Sequence, residues 1–279
     1  MATNQGDMYR LNSIAHVAGF IDEEPTRCIR SVHRQQKMVM HDRILPYIDR
    51  ANLLHVTRLN DYWFKLDEPL ISTFVERWHP ESYTFHMPFG EYTITLQNVA
   101  YQFGLPIDDH VVSGCLSDFE QLMEGEAWLG VNKFRALPPN ASEATVQIYA
   151  RGYIMMLLSM ALFADKFGVR VHLRWLLYVA DLDGLGKYNW SSTTLSWLYR
   201  WGRFLPMSDE KGPRVIATRH RLDMLSENDF IWMLYNDLEV IQVVHPDILR
   251  PEHTLLWKST IALIYFAVIE WHQVDRILF

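Results

Sequence analysis

Apolar residues recur at three-to-four spacing along most of the chain, which predicts a body built mainly of helices. The pattern gives helical pieces at Arg10–Gly19 and Thr26–Met38, then a stretch capped by Asp42 that carries Ile44, Leu45, Tyr47 and Ile48. Leu53, Leu54, Val56 and Leu59 form the next apolar run. Asp67-Glu68-Pro69 is a helix start, an N-cap carboxylate followed by acid and proline in the first turn. The helix after it is expected to bury Leu70, Ile71, Phe74, Val75 and Trp78 and to stop at His79-Pro80. Residues 108–142 are the least regular. Pro138, Pro139 and Asn140 read as a loop, and Ser142 caps a long helix from Glu143 to Asp165. Trp175–Leu182 and Ser192–Trp201 are helical in pattern, Ser208–Lys211 is a polar break, and Glu252–His272 reads as a final long helix.

One segment departs from the helical period. Around Phe85 to Met87 and Tyr92 to Thr95 the chain is rich in aromatic and β-branched residues, and Pro88, Phe89, Gly90 and Glu91 between them read as a turn. Thr95 then caps a helix whose apolar face is Leu96, Val99, Ala100 and Phe103, and Gly104, Leu105 and Pro106 end it. The expected fold class is therefore mainly α: a single helical domain with a small β-hairpin near residues 84–95.

Composition adds few constraints. The chain has 279 residues, 49% of them hydrophobic, with 10 Trp, 13 Tyr and 14 Phe, enough for a sizeable core. Net charge is −7, which weighs against a chain-wide nucleic-acid footprint but not against a local patch. Two cysteines, Cys28 and Cys115, are too few for a disulfide framework and suit a reducing compartment. The opening residues 1–7 have neither the basic nor the apolar region of a secretion signal. The most apolar run, Ile261–Ile269, is too short to span a bilayer, lies between Lys258 and Glu270, and reads as a buried helix.

Candidate chemistry is sparse. No glycine-rich phosphate turn accompanies any lysine, so a Schiff-base site is not expected, and no cofactor is implied. The histidines lack metal-ligand spacing. Asp108 and Asp109 suit a turn, and Ser113-Gly114-Cys115 lacks a nucleophile elbow. Arg27, Arg30, Arg34 and Lys37 recur at helical spacing and form the candidate basic interaction face, for nucleic acid or an acidic partner; an ordinary solvated helix face is the alternative. Arg170, His172 and Arg174 alternate with apolar residues, as a strand or as the lead-in to a helix.

The block Phe85–Asp108, with Pro88, Phe89, Gly90, Gly104, Leu105 and Pro106, resembles the plant mobile domain, a family also called aminotransferase-like. Met8–Asn12, Leu59–Trp63, Phe74–Trp78, Tyr149–Ile154, Val171–Trp175, Leu195–Arg200, Asp229–Met233 and Ile269–Val274 are similar to it in the same order. The resemblance is strongest to the maintenance-of-meristems-like branch. It implies a domain at 41–279 behind an N-terminal helical extension at 1–40, shortened internally near 200–211 where relatives carry a Trp-rich segment. It also implies a non-enzymatic nuclear interaction module, acting in meristem maintenance, genome integrity and transposon silencing, with a serine/threonine phosphatase-like protein partner. A transposon-derived nucleic-acid-associated protein is the alternative. The shortening predicts an uncovered apolar face at Trp197, Leu198, Trp201, Phe204, Leu205, Val215 and Ile216.

Overall fold

The computed structural model describes residues 40–58, 67–79, 82–107, 110–114, 128–130, 134–163, 166–167, 170–201, 207–208, 213–231, 234–272 and 274, with short pieces at 10–11, 14–15, 22 and 28–29. The architecture is mostly helical with small antiparallel sheets, as the periodicity predicts. In chain order the elements are β1 (Arg10–Leu11), β2 (Ile14–Ala15), β3 (Cys28–Ile29), α1 (Leu45–Arg50), α2 (Glu68–Glu76), β4 (Trp78–His79), β5 (Thr84–Met87), β6 (Gly90–Tyr92) and α3 (Leu96–Phe103). There follow β7 (Trp128–Gly130), α4 (Glu143–Met156), β8 (Lys166–Phe167), β9 (Arg170–His172), α5 (Leu176–Val179), α6 (Trp190–Trp201), β10 (Met207–Ser208), α7 (Pro213–Asp223), α8 (Leu238–Ile241), α9 (Pro251–Trp257), β11 (Ile261–Tyr265) and β12 (Val268–His272).

The helix starts follow their capping chemistry. The Asp67 carboxylate accepts from the Leu70 N–H at 3.0 Å, and Ser142 Oγ accepts from the Thr145 N–H at 3.3 Å. At Thr95 the cap is reciprocal, because the Asn98 side chain returns to the Thr95 N–H at 2.6 Å. α1 differs from expectation: it begins after Ile44 without a side-chain cap, and Asp42 lies outside it. α3 ends at Gly104, whose φ of 63° is left-handed. A Cβ there would also collide with the His55 ring, so glycine is required by both conformation and space.

α6 is the central helix. It packs on α3 and on the β11–β12 hairpin, with Ser191–Ser196 wholly buried along it. The core around it includes Trp175, Trp190, Phe163, Leu263 and Tyr265. α4 runs past α1 and α5 and continues into a π-helical turn, Leu157–Leu162, which ends short of the expected Asp165.

Several expectations are corrected. The final long helix does not form: α9 stops at Trp257, and Ile261–His272 is a hairpin paired from Ile261↔His272 to Tyr265↔Val268. An apolar β-branched run of this length suits helix and buried strand alike, and packing against α6 decides for strand. Helices expected at Arg10–Gly19 and Thr26–Met38 are interrupted by strands: β1 pairs with β2, and β3 with β10. α2 ends before Trp78, which starts β4. Its buried positions are Pro69, Ser72 and Thr73, while Leu70, Ile71, Phe74 and Val75 are half-buried. The strand expected at Tyr92–Thr95 is placed earlier, at Gly90–Tyr92, and β4 adds a third strand to its sheet. The Arg170–Arg174 alternation is both things in turn, a strand to His172 and then a 3-10 turn, Leu173–Trp175.

Candidate functional site

The sheet β4–β5–β6 and the start of α3 display the signature block as one aromatic assembly. Trp78 and Tyr92 stand across from Phe85 on opposite strands, with ring centroids 4.8 and 5.1 Å from it. Phe74 meets Phe85 and Tyr92 edge-on at 6.1 Å, an arrangement the ring quadrupole favours. Tyr83 stacks on Tyr199 of α6 at 4.8 Å, and the Tyr199 hydroxyl donates to the Ile94 carbonyl at 2.7 Å. The Tyr83 hydroxyl donates to the buried Glu270 carboxylate on β12, so sheet, central helix and terminal hairpin are tied at one point.

The six signature residues do different work. Pro88, Phe89 and Gly90 form the β5–β6 turn, with Gly90 at φ 148°. Gly104, Leu105 and Pro106 lie at the other end of α3. There the Leu105 carbonyl accepts from Ser191 Oγ at 2.9 Å and the Pro106 carbonyl from the Ser191 N–H at 3.1 Å. They clamp the start of α6, a structural duty.

A second cluster lies on the other side of the sheet. His79 and His86 are buried and stacked at 3.6 Å, and His86 Nε2 is 3.4 Å from the Glu91 carboxylate. Arg77 reaches Asp223 at 2.5 Å, and Arg219 grips Glu76 with two bonds of 2.9 and 2.6 Å, joining α7 to α2. Sequence reasoning found neither arginine ion pair, because the partners stand more than 140 positions apart.

Burial pushes the Tyr92 and Tyr199 phenols upward and Tyr178 to about 12, so these hydroxyls stay protonated at neutral pH, and those of Tyr199 and Tyr178 donate to the Ile94 and Ser113 carbonyls. Among the described residues, no three His, Cys, Asp or Glu side chains group so as to hold a metal ion. Arg27, Arg30, Arg34, Lys37, Asp108, Asp109 and Cys115 lie outside the described residues. The helical geometry invoked for the basic face fails at Cys28–Ile29, which is a strand. The predicted uncovered face is not bare where it is described: Trp197 and Leu198 pack on the core, Val215 is buried and Ile216 half-buried.

Histidines in the core give the fold a pH limit. His272 Nδ1 donates to the Ser259 carbonyl at 3.1 Å while Nε2 accepts from the Leu96 N–H at 3.3 Å, an arrangement only the neutral ring makes. His172 Nδ1 accepts from the Arg174 N–H at 3.0 Å. Burial lowers the pKa of His272, and burial with the Arg174 charge lowers that of His172 to about 4. Below pH 6.5 the unfolded chain therefore binds protons that the native one refuses. Stability is expected to be fully present above pH 6.5 and to fall as the pH drops toward 4. The slope is at most about 1.4 kcal/mol per pH unit for each histidine. Urea titrations at pH 7.5, 6 and 5 check this, and a His272→Gln variant should show a shallower slope. Equal stability at pH 7.5 and 5 would refute it.

Comparison with known proteins places this assembly. The plant mobile domain model matches residues 52–210, more than half of the chain. The chain belongs to the plant mobile domain family. The matched span takes in the aromatic sheet, α3, α4 and all of α6. Among curated Arabidopsis thaliana proteins, Protein MAIN-LIKE 1 is 30% identical over 62% of this chain and 38% of its own length. Protein MAINTENANCE OF MERISTEMS is 26% identical over 82% of this chain and 63% of its own. Serine/threonine-protein phosphatase 7 long form homolog is 28% identical over 77% of this chain but only 22% of its own. The chain thus spans from about a fifth to just under two thirds of the length of these relatives. No solved structure matches it significantly. No described helix of this family member is long and apolar enough to cross a membrane.

Proposed function

We propose that this plant mobile domain chain is a non-enzymatic nuclear interaction module. In this reading it engages a serine/threonine phosphatase-like protein and serves meristem maintenance, genome integrity and transposon silencing. The observation that carries the reading is the ordered match of residues 52–210 to a domain that the MAIN-like proteins share. The described interior supports it: the buried tyrosines are held as neutral donors, and the signature residues are spent on a turn and on the clamp of α6. The phosphatase name of one relative attaches to a protein of which this chain matches about a fifth, and it enters here as partner chemistry, not as activity.

The test is direct binding between the purified chain and a purified plant phosphatase 7 long form homolog, read by sedimentation, with a duplex DNA titration across salt beside it. A defined complex without DNA binding is expected. DNA binding that falls steeply with salt, without phosphatase binding, would establish the nucleic-acid-associated reading instead. Phosphoester hydrolysis by the purified chain would overturn the non-enzymatic reading.

A further inference from the structure

Between Arg221 and Arg250 the chain contains no lysine or arginine but six acids, Asp223, Glu227, Asp229, Asp237, Glu239 and Asp247. Most of its described residues are exposed, and among them only Leu222 and Ile248 are buried. The segment lies over the signature block by aromatic anchors. Phe230 packs on Phe89 and Tyr92, each at 5.3 Å, and Tyr235 packs on Tyr101 of α3 at 4.6 Å. The Tyr235 hydroxyl also accepts from Asn98 Nδ2 at 2.9 Å. Tyr101 in turn meets Trp257 at 5.4 Å, so α9 lies beside the strap.

Between and beyond these inward anchors, large apolar side chains stand in solvent: Met224 is 75% exposed, Ile231 73%, Leu238 71%, Val243 82% and, on α9, Leu255 71%. Such exposure in a short stretch exceeds the scattered apolar residues of an ordinary surface and marks an interaction face. Four of the acids hold local structure: Asp223 pairs with Arg77, Asp229 caps at Ser226, Asp237 caps α8 and Asp247 pairs with Arg250. Glu227 and Glu239 are exposed, as is Glu252 on α9.

We propose that the strap formed by residues 224–231 and 234–243, with Leu255 beside it, is the docking surface for a basic amphipathic segment of a partner protein. Apolar side chains of the partner would cover Leu238, Val243 and Leu255, and its lysines or arginines would face Glu227, Glu239 and Glu252. The argument is charge complementarity. An apolar face set in a stretch with no cation repels acidic partners and selects basic ones. The inference deepens the interaction-module reading and rests on it only in taking the occupant to be a protein.

The probe is a fluorescein-labelled amphipathic helical peptide of leucine and lysine, titrated into the full chain by anisotropy. A leucine and glutamate peptide of equal length is the control. Saturable binding of the basic peptide alone is expected. Leu238→Ser with Val243→Ser should weaken it about tenfold or more, a loss of about 1.4 kcal/mol, while the melting temperature stays at the parent value because both side chains are exposed. Glu227→Gln with Glu239→Gln should weaken binding and flatten its salt dependence. Equal binding of the acidic peptide overturns the proposal, as does binding indifferent to the serine variants. So does concentration-dependent dimerisation abolished by those variants without peptide binding, which would assign the face to a second copy. A phosphatase homolog that still binds the serine variants sinks the strap but spares the interaction-module reading. Peptide binding without any phosphatase complex does the reverse.

Discussion

Trp175→Ala should lower unfolding free energy by about 3–5 kcal/mol, the cost of removing a large buried aromatic and leaving its cavity. Trp175 has no exposed surface. Its ring stacks on Phe163 at 4.8 Å and meets Phe266 at 5.3 Å, Tyr178 at 6.1 Å and Trp190 at 6.3 Å. Those neighbours come from four separate stretches of chain, so no single element can relax to fill the void. The indole Nε1 has no hydrogen-bond partner among the described residues, so the loss is one of packing alone. Trp175→Phe should therefore cost less than half as much. Trp78, which the helical stripe marks for full burial, is half-buried on β4 and should lose less than Trp175 when truncated. Urea denaturation of the three variants decides the order. A Trp175→Ala loss below that of Trp78→Ala would contradict this account of the core.

Glu76→Ala should cost about 3 kcal/mol for a different reason, the breaking of a largely buried ion pair and of both bonds of its fork. Arg219 is 5% exposed at its side chain and Glu76 14%, and the two bonds between them are the fork geometry that suits arginine and carboxylate. Removing the carboxylate leaves the guanidinium desolvated at the α2–α7 contact. Replacing both partners with apolar residues of similar size, Glu76→Leu with Arg219→Met, should restore most of the loss, because the pair's attraction roughly offsets the cost of burying it. A single Glu76→Ala variant as stable as the parent would show that the site is wet and the pair weak. A double variant no better than the single would show that the fork itself holds α7 in place.

Local rules account for much of the fold because their physics is local. Asp67, Thr95 and Ser142 cap the helices they were expected to cap, since an N-cap needs only three residues downstream. Gly104 ends α3 in the left-handed conformation its sequence position requires. Leu96, Val99 and Ala100 are buried as their spacing demands. The aromatic sheet was legible as a hairpin, though its second strand ends at Tyr92 because the ladder opposite Phe85–Met87 is complete there. The family, too, was legible from the ordered segments that the domain match then showed.

The sequence by itself thus determined the mainly helical class, the caps, the signature hairpin and the family. Tertiary structure decided whatever depends on partners far along the chain. Ile261–His272 becomes a hairpin because α6 offers it a face on which Leu263, Tyr265, Glu270 and His272 turn inward together. Glu270 is tolerable in that interior because Tyr83, 187 positions earlier, donates to it and the Arg200 guanidinium lies 4.0 Å from its other oxygen. Arg219 and Arg77 are core residues rather than surface charges because Glu76 and Asp223 meet them. Periodicity reports which face of an element is apolar. It carries no information on which other element will cover that face, and burial, ion pairing and the exposed strap all follow from that choice.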